Sequence, residues 1–262
     1  MQTQVISIEY NNRPIQLAAQ IRTCGDDLIY CIHGLGCAKE NFHDIWSQNA
    51  LKEYSIIALD LPGFGDSACL DDFSYDMKEF AAVCDSFLSL FPNERVHIIG
   101  HSMGGAVGLL LADHIKERIA SFINVEGNLI SRDCTVSRQK SSISFENFKA
   151  KQLPAMVHDT ARSEEPGRRL WSVLMKKADP LALYLSSQSL VKWSDSGILL
   201  KQFMGLSCSK VYVYGEFNSF MKVLRMLGNL PALCISKSGH FPMNDNPDEF
   251  YDSIASFIDS IR

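Results

Sequence analysis

Gly100-His101-Ser102-Met103-Gly104 constrains this chain more than any other stretch. It follows VHIIG (96–100), a continuous apolar run, and leads into GGAVGLLLADHI (104–115), which reads as a helix. A G-x-S-x-G pentad between strand and helix makes a turn so tight that the serine is held in a strained backbone conformation, with glycines on both sides to avoid clashes. The strain exposes the hydroxyl. It also sets Ser102 at a helix N-terminus, where the dipole and free N–H groups favour negative charge. A plain glycine-rich packing turn would fit the same five letters, and the strand-to-helix setting is what favours a nucleophile.

The rest of the first half repeats the alternation. VISIEY (5–10) and PIQLAAQIR (14–22) read as hairpin strands around NNRP, while DLIYCIHG (27–34), YSIIALD (54–60) and RIASFINVEG (118–127) are nearly continuous apolar runs. Such runs suit strands covered on both faces, as in a parallel sheet flanked by helices. Between them, Ser74 to Leu90 carries Met77, Phe80, Ala81, Cys84, Phe87 and Leu88 at helical spacing, with Pro92 as its stop. Late in the chain KVYVYGE (210–216) and PALCIS (231–236) supply two more strands, and Asn246 with Pro247 is expected to cap a final helix. The expected class is α/β, a mostly parallel, doubly wound sheet.

The alternation stops over 128–204. This interval is helix-compatible, broken by Pro154, Pro166, Gly167 and Pro180, and rich in aromatic residues including Trp171 and Trp193. We read it as a helical cap inserted between strands, leaving 1–127 and 205–262 as the core. It holds 12 Lys+Arg against 7 Asp+Glu, whereas the remainder holds 13 against 23. A basic insertion on an acidic base therefore hides inside a net charge of −5. That total offers no global basic field for nucleic acid, and no apolar run approaches the roughly 18 residues of a membrane span. The N-terminus lacks a basic start followed by an apolar stretch, so a cytoplasmic protein is expected. The eight cysteines are scattered without a CxxC pair, so they are expected to be reduced, with no metal site.

Three further segments bear on chemistry. His33-Gly34-Leu35-Gly36 ends the strand DLIYCI, and a glycine-lined loop beside the elbow can turn a backbone N–H toward a developing oxyanion. The donors are assigned to the N–H groups of Leu35 and Met103. DLPGFGDS (60–67) reads as a structural turn next to the site. Ser238-Gly239-His240-Phe241-Pro242 follows the last strand, and its loop position with glycine beside it lifts His240 above the other histidines as the general base. His33 and His101 read as loop-shaping residues and, with Trp171, are assigned to the wall of the substrate site.

HGLG, DLPGFGDS, GHSMGG and SGHFP, in this order and spacing, resemble the α/β-hydrolase superfamily over nearly the whole chain except the cap. The resemblance implies the α/β-hydrolase fold, with helical cap, and a serine, acid, histidine triad with no cofactor. It also implies an acid three residues after the glycine that ends the penultimate strand, and Asn218 occupies that position. An amide can orient an imidazole but cannot stabilise an imidazolium, and in the serine-protease template that change costs about 10⁴ in turnover. Glu126, ending SFINVEG, is the favoured substitute because some superfamily members, haloalkane dehalogenases among them, carry their acid at that strand end. Glu216, or no working acid, are the alternatives.

With Ser102, His240 and Glu126 the expected activity is hydrolysis of a small carboxylic ester through an acyl-enzyme. A lyase, C–C bond hydrolase or acyltransferase on the same triad, or a non-catalytic ligand-binding protein, are alternatives. Dehalogenase and epoxide hydrolase chemistry is disfavoured, since those enzymes use an aspartate nucleophile. The expected partner is a small acyl substrate, with neither nucleic acid nor membrane, and anionic substrates stand as a weaker possibility suggested by the basic insertion.

Overall fold

The computed structural model describes residues 1–261, apart from the side chains of Lys140 and Ser141. Its strands are β1 (Thr3–Tyr10), β2 (Arg13–Arg22), β3 (Asp27–Ile32), β4 (Ser55–Leu59), β5 (Arg95–His101), β6 (Ile119–Val125), β7 (Ser209–Gly215) and β8 (Ala232–Ile235). They form one sheet in the order β1-β2-β4-β3-β5-β6-β7-β8. β2 pairs antiparallel with β1 and β4, and every pairing from β4 through β8 is parallel. The β1–β2 hairpin turns at Asn11 and Asn12, whose φ values of 51° and 60° are the left-handed pair a two-residue turn needs.

The continuous apolar runs follow from burial on both faces. In β3, Leu28, Tyr30 and Ile32 face one core and Ile29 and Cys31 the other, so alternation of side chains produces no alternation of polarity. The first core packs under the helices α1 (Met77–Leu88) and α2 (Met103–His114). α1 starts later than the spacing predicts, because Ser74 is drawn to the Glu79 carboxylate and Asp76 becomes the cap, accepting from the Lys78 N–H at 3.0 Å.

Between β6 and β7 lie α3 (Thr135–Ser141), α4 (Phe145–Asn147), α5 (Leu153–Ala161), α6 (Pro166–Met175), α7 (Pro180–Asp195) and α8 (Ile198–Gly205). The last of these packs on α2 and sets Phe203 against Phe122 and Tyr212, at ring centroid distances of 6.0 and 6.4 Å. The chain then adds α9 (Lys222–Met226), α10 (Pro242–Asp245) and α11 (Pro247–Asp259). The expected Asn246 cap on α11 is corrected. Asn246 holds the N-cap position, but its amide is committed to the Ser236 carbonyl at 3.0 Å and the Glu249 carboxylate at 2.7 Å and caps no backbone N–H. No described helix is long and apolar enough to cross a membrane.

Candidate active site

Ser102 sits between β5 and α2 with φ 52° and ψ −118°, a left-handed conformation costly for a side chain-bearing residue. The flanking glycines are obligatory for a geometric reason. A Cβ on Gly100 would lie 2.6 Å from the Gly104 carbonyl oxygen, and one on Gly104 would lie 2.1 Å from the Ile32 carbonyl oxygen. Strand, turn and helix thus touch backbone to backbone. The Ser102 N–H donates to Val125 O at 2.9 Å, and its hydroxyl donates to Asn128 Oδ1 at 3.4 Å.

His240 stands half-buried in the loop after β8, and its Nδ1 lies 2.7 Å from Glu126 Oε2. An Nδ1–H that donates to a carboxylate leaves Nε2 as the acceptor of the ring. Glu126 is buried at the end of β6 and is itself left-handed, at φ 44°. Its Oε1 accepts from the Gly215 N–H at 2.9 Å, and the Asn218 side-chain amide donates to both carboxylate oxygens at 2.9 Å. Asn218 therefore clamps the Glu126 carboxylate. Glu216 points the other way, accepting from the Lys237 N–H at 2.8 Å.

The remaining expected site residues divide. Leu35 lines the cavity in front of Ser102, and the backbone N–H groups of Leu35 and Met103 have no hydrogen-bond partner among the described residues. Trp171 lines the same cavity, and its indole Nε1–H donates to the Leu35 carbonyl at 2.9 Å. Gly36, at φ 71°, lets that loop lie against α6, since a Cβ there would meet Trp171 Nε1 and Met175 Cγ at 2.9 Å. His101 reaches the cavity, and its Nε2–H donates to the His240 carbonyl at 2.8 Å. Burial holds its imidazole well below the ordinary range, so the ring is neutral.

The assignment of His33 to the substrate wall is corrected. Its Nδ1–H donates to Gly34 O at 2.8 Å and its Nε2 accepts from the Leu61 N–H at 3.0 Å. Fully buried, it staples the 33–36 loop to the 60–67 loop and lines no part of the cavity.

Sequence reasoning missed three contributors. Asn128, the partner of the Ser102 hydroxyl, is held by its amide donating to Asp133 O at 2.8 Å. Asp245 ties the histidine loop to α6, accepting from the Gly239 N–H at 3.0 Å and the Gly167 N–H at 2.8 Å. Asp133 is a second carboxyl on the cavity wall, with Oδ2 accepting from the N–H groups of Leu129 and Ile130. For Asn128, proximity to Glu126 in the sequence was an available signal, whereas nothing in the spacing joins Asp245 to α6.

Burial pushes the Asp133 carboxyl up to about 6, reinforced by Glu126 and opposed by the two N–H bonds. Its folded pKa thus exceeds the unfolded value, so the stability it contributes is complete below the unfolded pKa and is lost as pH rises through about 6. Asp133→Asn keeps an oxygen for the two N–H groups and removes the ionisation. Thermal melts should show the variant gaining on the parent at alkaline pH, with the gain vanishing in acid. A difference independent of pH would contradict this.

These residues surround a cavity of about 440 Å³ whose wall includes Ser102, Glu126 and His240. The model of the alpha/beta hydrolase fold family matches residues 27–169, and the chain belongs to that family. Over 259 residues it is 26% identical to the pimeloyl-(acyl-carrier protein) methyl ester esterase of Aeromonas hydrophila, a match covering 89% of this chain and 96% of that protein. It is 23% identical to a 2-hydroxy-6-oxononadienedioate/2-hydroxy-6-oxononatrienedioate hydrolase of a Pseudomonas species, covering 89% and 88%. Among solved structures, a thermophilic esterase from Thermogutta terrifontis superposes with a TM-score of 0.80 at 18% identity, covering 100% of this chain and 99% of that one. The chain is thus an α/β hydrolase whose relatives are hydrolases and esterases.

Proposed function

We propose that the protein is a serine hydrolase that cleaves a small carboxylic ester, with Ser102 as nucleophile, His240 as general base and Glu126 as the acid. The observation that carries this reading is the 2.7 Å contact between His240 Nδ1 and the clamped Glu126 carboxylate, on the cavity that also exposes Ser102. The methyl ester esterase among its relatives points to the same class of bond.

In this mechanism the Ser102 hydroxyl swings from Asn128 toward His240 Nε2, gives up its proton there and attacks the ester carbonyl. Negative charge gathers on the carbonyl oxygen, where the N–H groups of Leu35 and Met103 stabilise it. Glu126 stabilises the imidazolium and keeps its own charge. His240 then protonates the departing alkoxide, leaving an acyl group on Ser102 Oγ. A water molecule deprotonated by the same Nε2 attacks the acyl carbon, and collapse returns the proton to Ser102 and frees the acid.

The test is a rapid-mix experiment with an activated ester in water alone. A burst of alcohol stoichiometric with enzyme, followed by steady release of the acid, supports the reading. Product that appears only when a second acceptor is added would favour an acyltransferase. Ligand-induced stabilisation without turnover would favour a binding protein.

A further inference from the structure

Ser102 rests against Asn128, and the Asn128 side chain has one chemistry to offer there. The residue is buried, with Nδ2 donating to the Asp133 carbonyl at 2.8 Å and to Cys134 Sγ at 3.5 Å. A backbone carbonyl only accepts, so a flipped amide would set oxygen against oxygen, and Oδ1 is therefore the atom that faces Ser102 Oγ at 3.4 Å. The backbone fixes the same position. The Asn128 N–H donates to the Ser102 carbonyl at 3.4 Å, and Asp133 Oδ2 receives the next two N–H groups, those of Leu129 and Ile130, at 3.0 Å. The cavity wall thus carries a fixed hydrogen-bond acceptor beside the nucleophile.

An acceptor at that place serves neither of the charged oxygens the reaction creates. It repels a developing oxyanion, and it has no proton for a departing alkoxide. In the resting enzyme it accepts the Ser102 proton, but Oγ carries no proton once it is acylated. The buried oxygen then lacks a donor, which costs more than an ordinary hydrogen bond is worth. Attacking water restores one, because it has a proton for His240 Nε2 and a second for Asn128 Oδ1. We propose that Asn128 is a further catalytic residue, whose Oδ1 orients the water that hydrolyses the acyl-enzyme. This deepens the esterase reading and rests on it.

The step balances. The water oxygen bonds to the acyl carbon as one O–H bond breaks toward His240 Nε2, while the other O–H stays on that oxygen and points at Asn128 Oδ1. On collapse the bond from carbon to Ser102 Oγ breaks and Nε2 returns its proton to Oγ. The carboxylic acid departs and the serine hydroxyl turns back to Asn128. An alcohol has a single hydroxyl proton, which His240 takes, so it attacks without help from Asn128. The acceptor therefore favours water over a small alcohol by holding water at two points.

The experiment follows 4-nitrophenyl acetate in buffer with graded methanol. The ratio of methyl acetate to acetate reads the competition for one acyl-enzyme, whichever step limits turnover. Asn128→Ala should slow hydrolysis of the acyl-enzyme about tenfold and leave methanolysis within about twofold, so that the ratio rises about tenfold. Asn128→Leu, nearer in shape, should move it equally. The nitrophenol burst, which reports acylation, should keep its rate or quicken, since Ser102 is released from its resting bond. Asn128→Asp keeps an oxygen at the same place and should hold the ratio within about threefold of wild type. An equal fall for water and methanol, a ratio unmoved in both acceptor-free variants, or a ratio displaced as far by Asn128→Asp overturns the proposal and leaves the esterase reading standing. A wild-type protein that gains no acetyl group on Ser102 and releases no acetate overturns the esterase reading and this proposal with it.

Discussion

Ser102→Ala should lower ester turnover by on the order of 10⁴- to 10⁶-fold and abolish labelling by a fluorophosphonate probe, because the nucleophile and its base act as a unit. The protein should still fold. The hydroxyl makes one long hydrogen bond, 3.4 Å to Asn128, so removing it costs little. Alanine is as strained as serine at φ 52°, whereas glycine is not. Ser102→Gly should therefore be equally inactive yet melt higher than either, by the equivalent of about 1–3 kcal/mol stored in the backbone. Activity and stability would then separate at one residue, as expected where strain serves chemistry. Labelling that persists in Ser102→Ala would place the reactive group elsewhere and remove the basis of the mechanism.

Two kinds of feature were legible in the sequence. The strands announced themselves because β3 and β4 are buried along their whole length, and a short continuous apolar run suits a strand covered on both faces. The elbow was legible because backbone-to-backbone contact forbids a Cβ at Gly100 and Gly104, which leaves glycine at fixed offsets from Ser102. The proposed acid was legible only through the family resemblance. Asn218 stands where that resemblance expects the acid, and Glu126 was favoured because some superfamily members carry theirs at the strand end it occupies.

Local spacing hid the rest because hydrogen-bond partnership is decided in three dimensions. His33, next to a glycine-lined loop, has the same sequence surroundings whether its ring faces substrate or braces two loops, and only the Leu61 N–H and Gly34 carbonyl decide between them. Asp245 is similar. Its two carboxylate oxygens join Gly167 to Gly239, so that α6 is fixed to the histidine loop at one end and, through Trp171, to the Leu35 loop further along. The interval read from the sequence as a helical cap inserted between strands is thus hydrogen-bonded to both loops that carry the proposed chemistry.

Glu126→Gln should cost about 10⁴ in kcat with a much smaller change in KM, by analogy with removal of the charge from a serine-protease acid. The hydrogen-bond inventory gives the local reason. The carboxylate receives the Gly215 N–H, the Asn218 amide and the His240 Nδ1–H, all as donors. A glutamine offers one acceptor oxygen and an NH₂ group that must face at least one of those donors. If the NH₂ faces His240, the ring accepts at Nδ1 and carries its proton on Nε2, the tautomer that cannot take the Ser102 proton. If it faces Gly215, that buried N–H loses its acceptor, at a cost of about 1–3 kcal/mol in stability, while Asn218 keeps the oxygen that also faces His240. Either way turnover falls, because the amide cannot stabilise an imidazolium. Asn218→Asp should also lower turnover, since two carboxylates at the 2.9 Å spacing of the present contact cannot both ionise and a shared proton weakens the charge that faces His240. Steady-state kinetics and melting curves on both variants check this. Full turnover in Glu126→Gln would show that Glu126 merely anchors the Asn218 loop, and that His240 works without a charged partner.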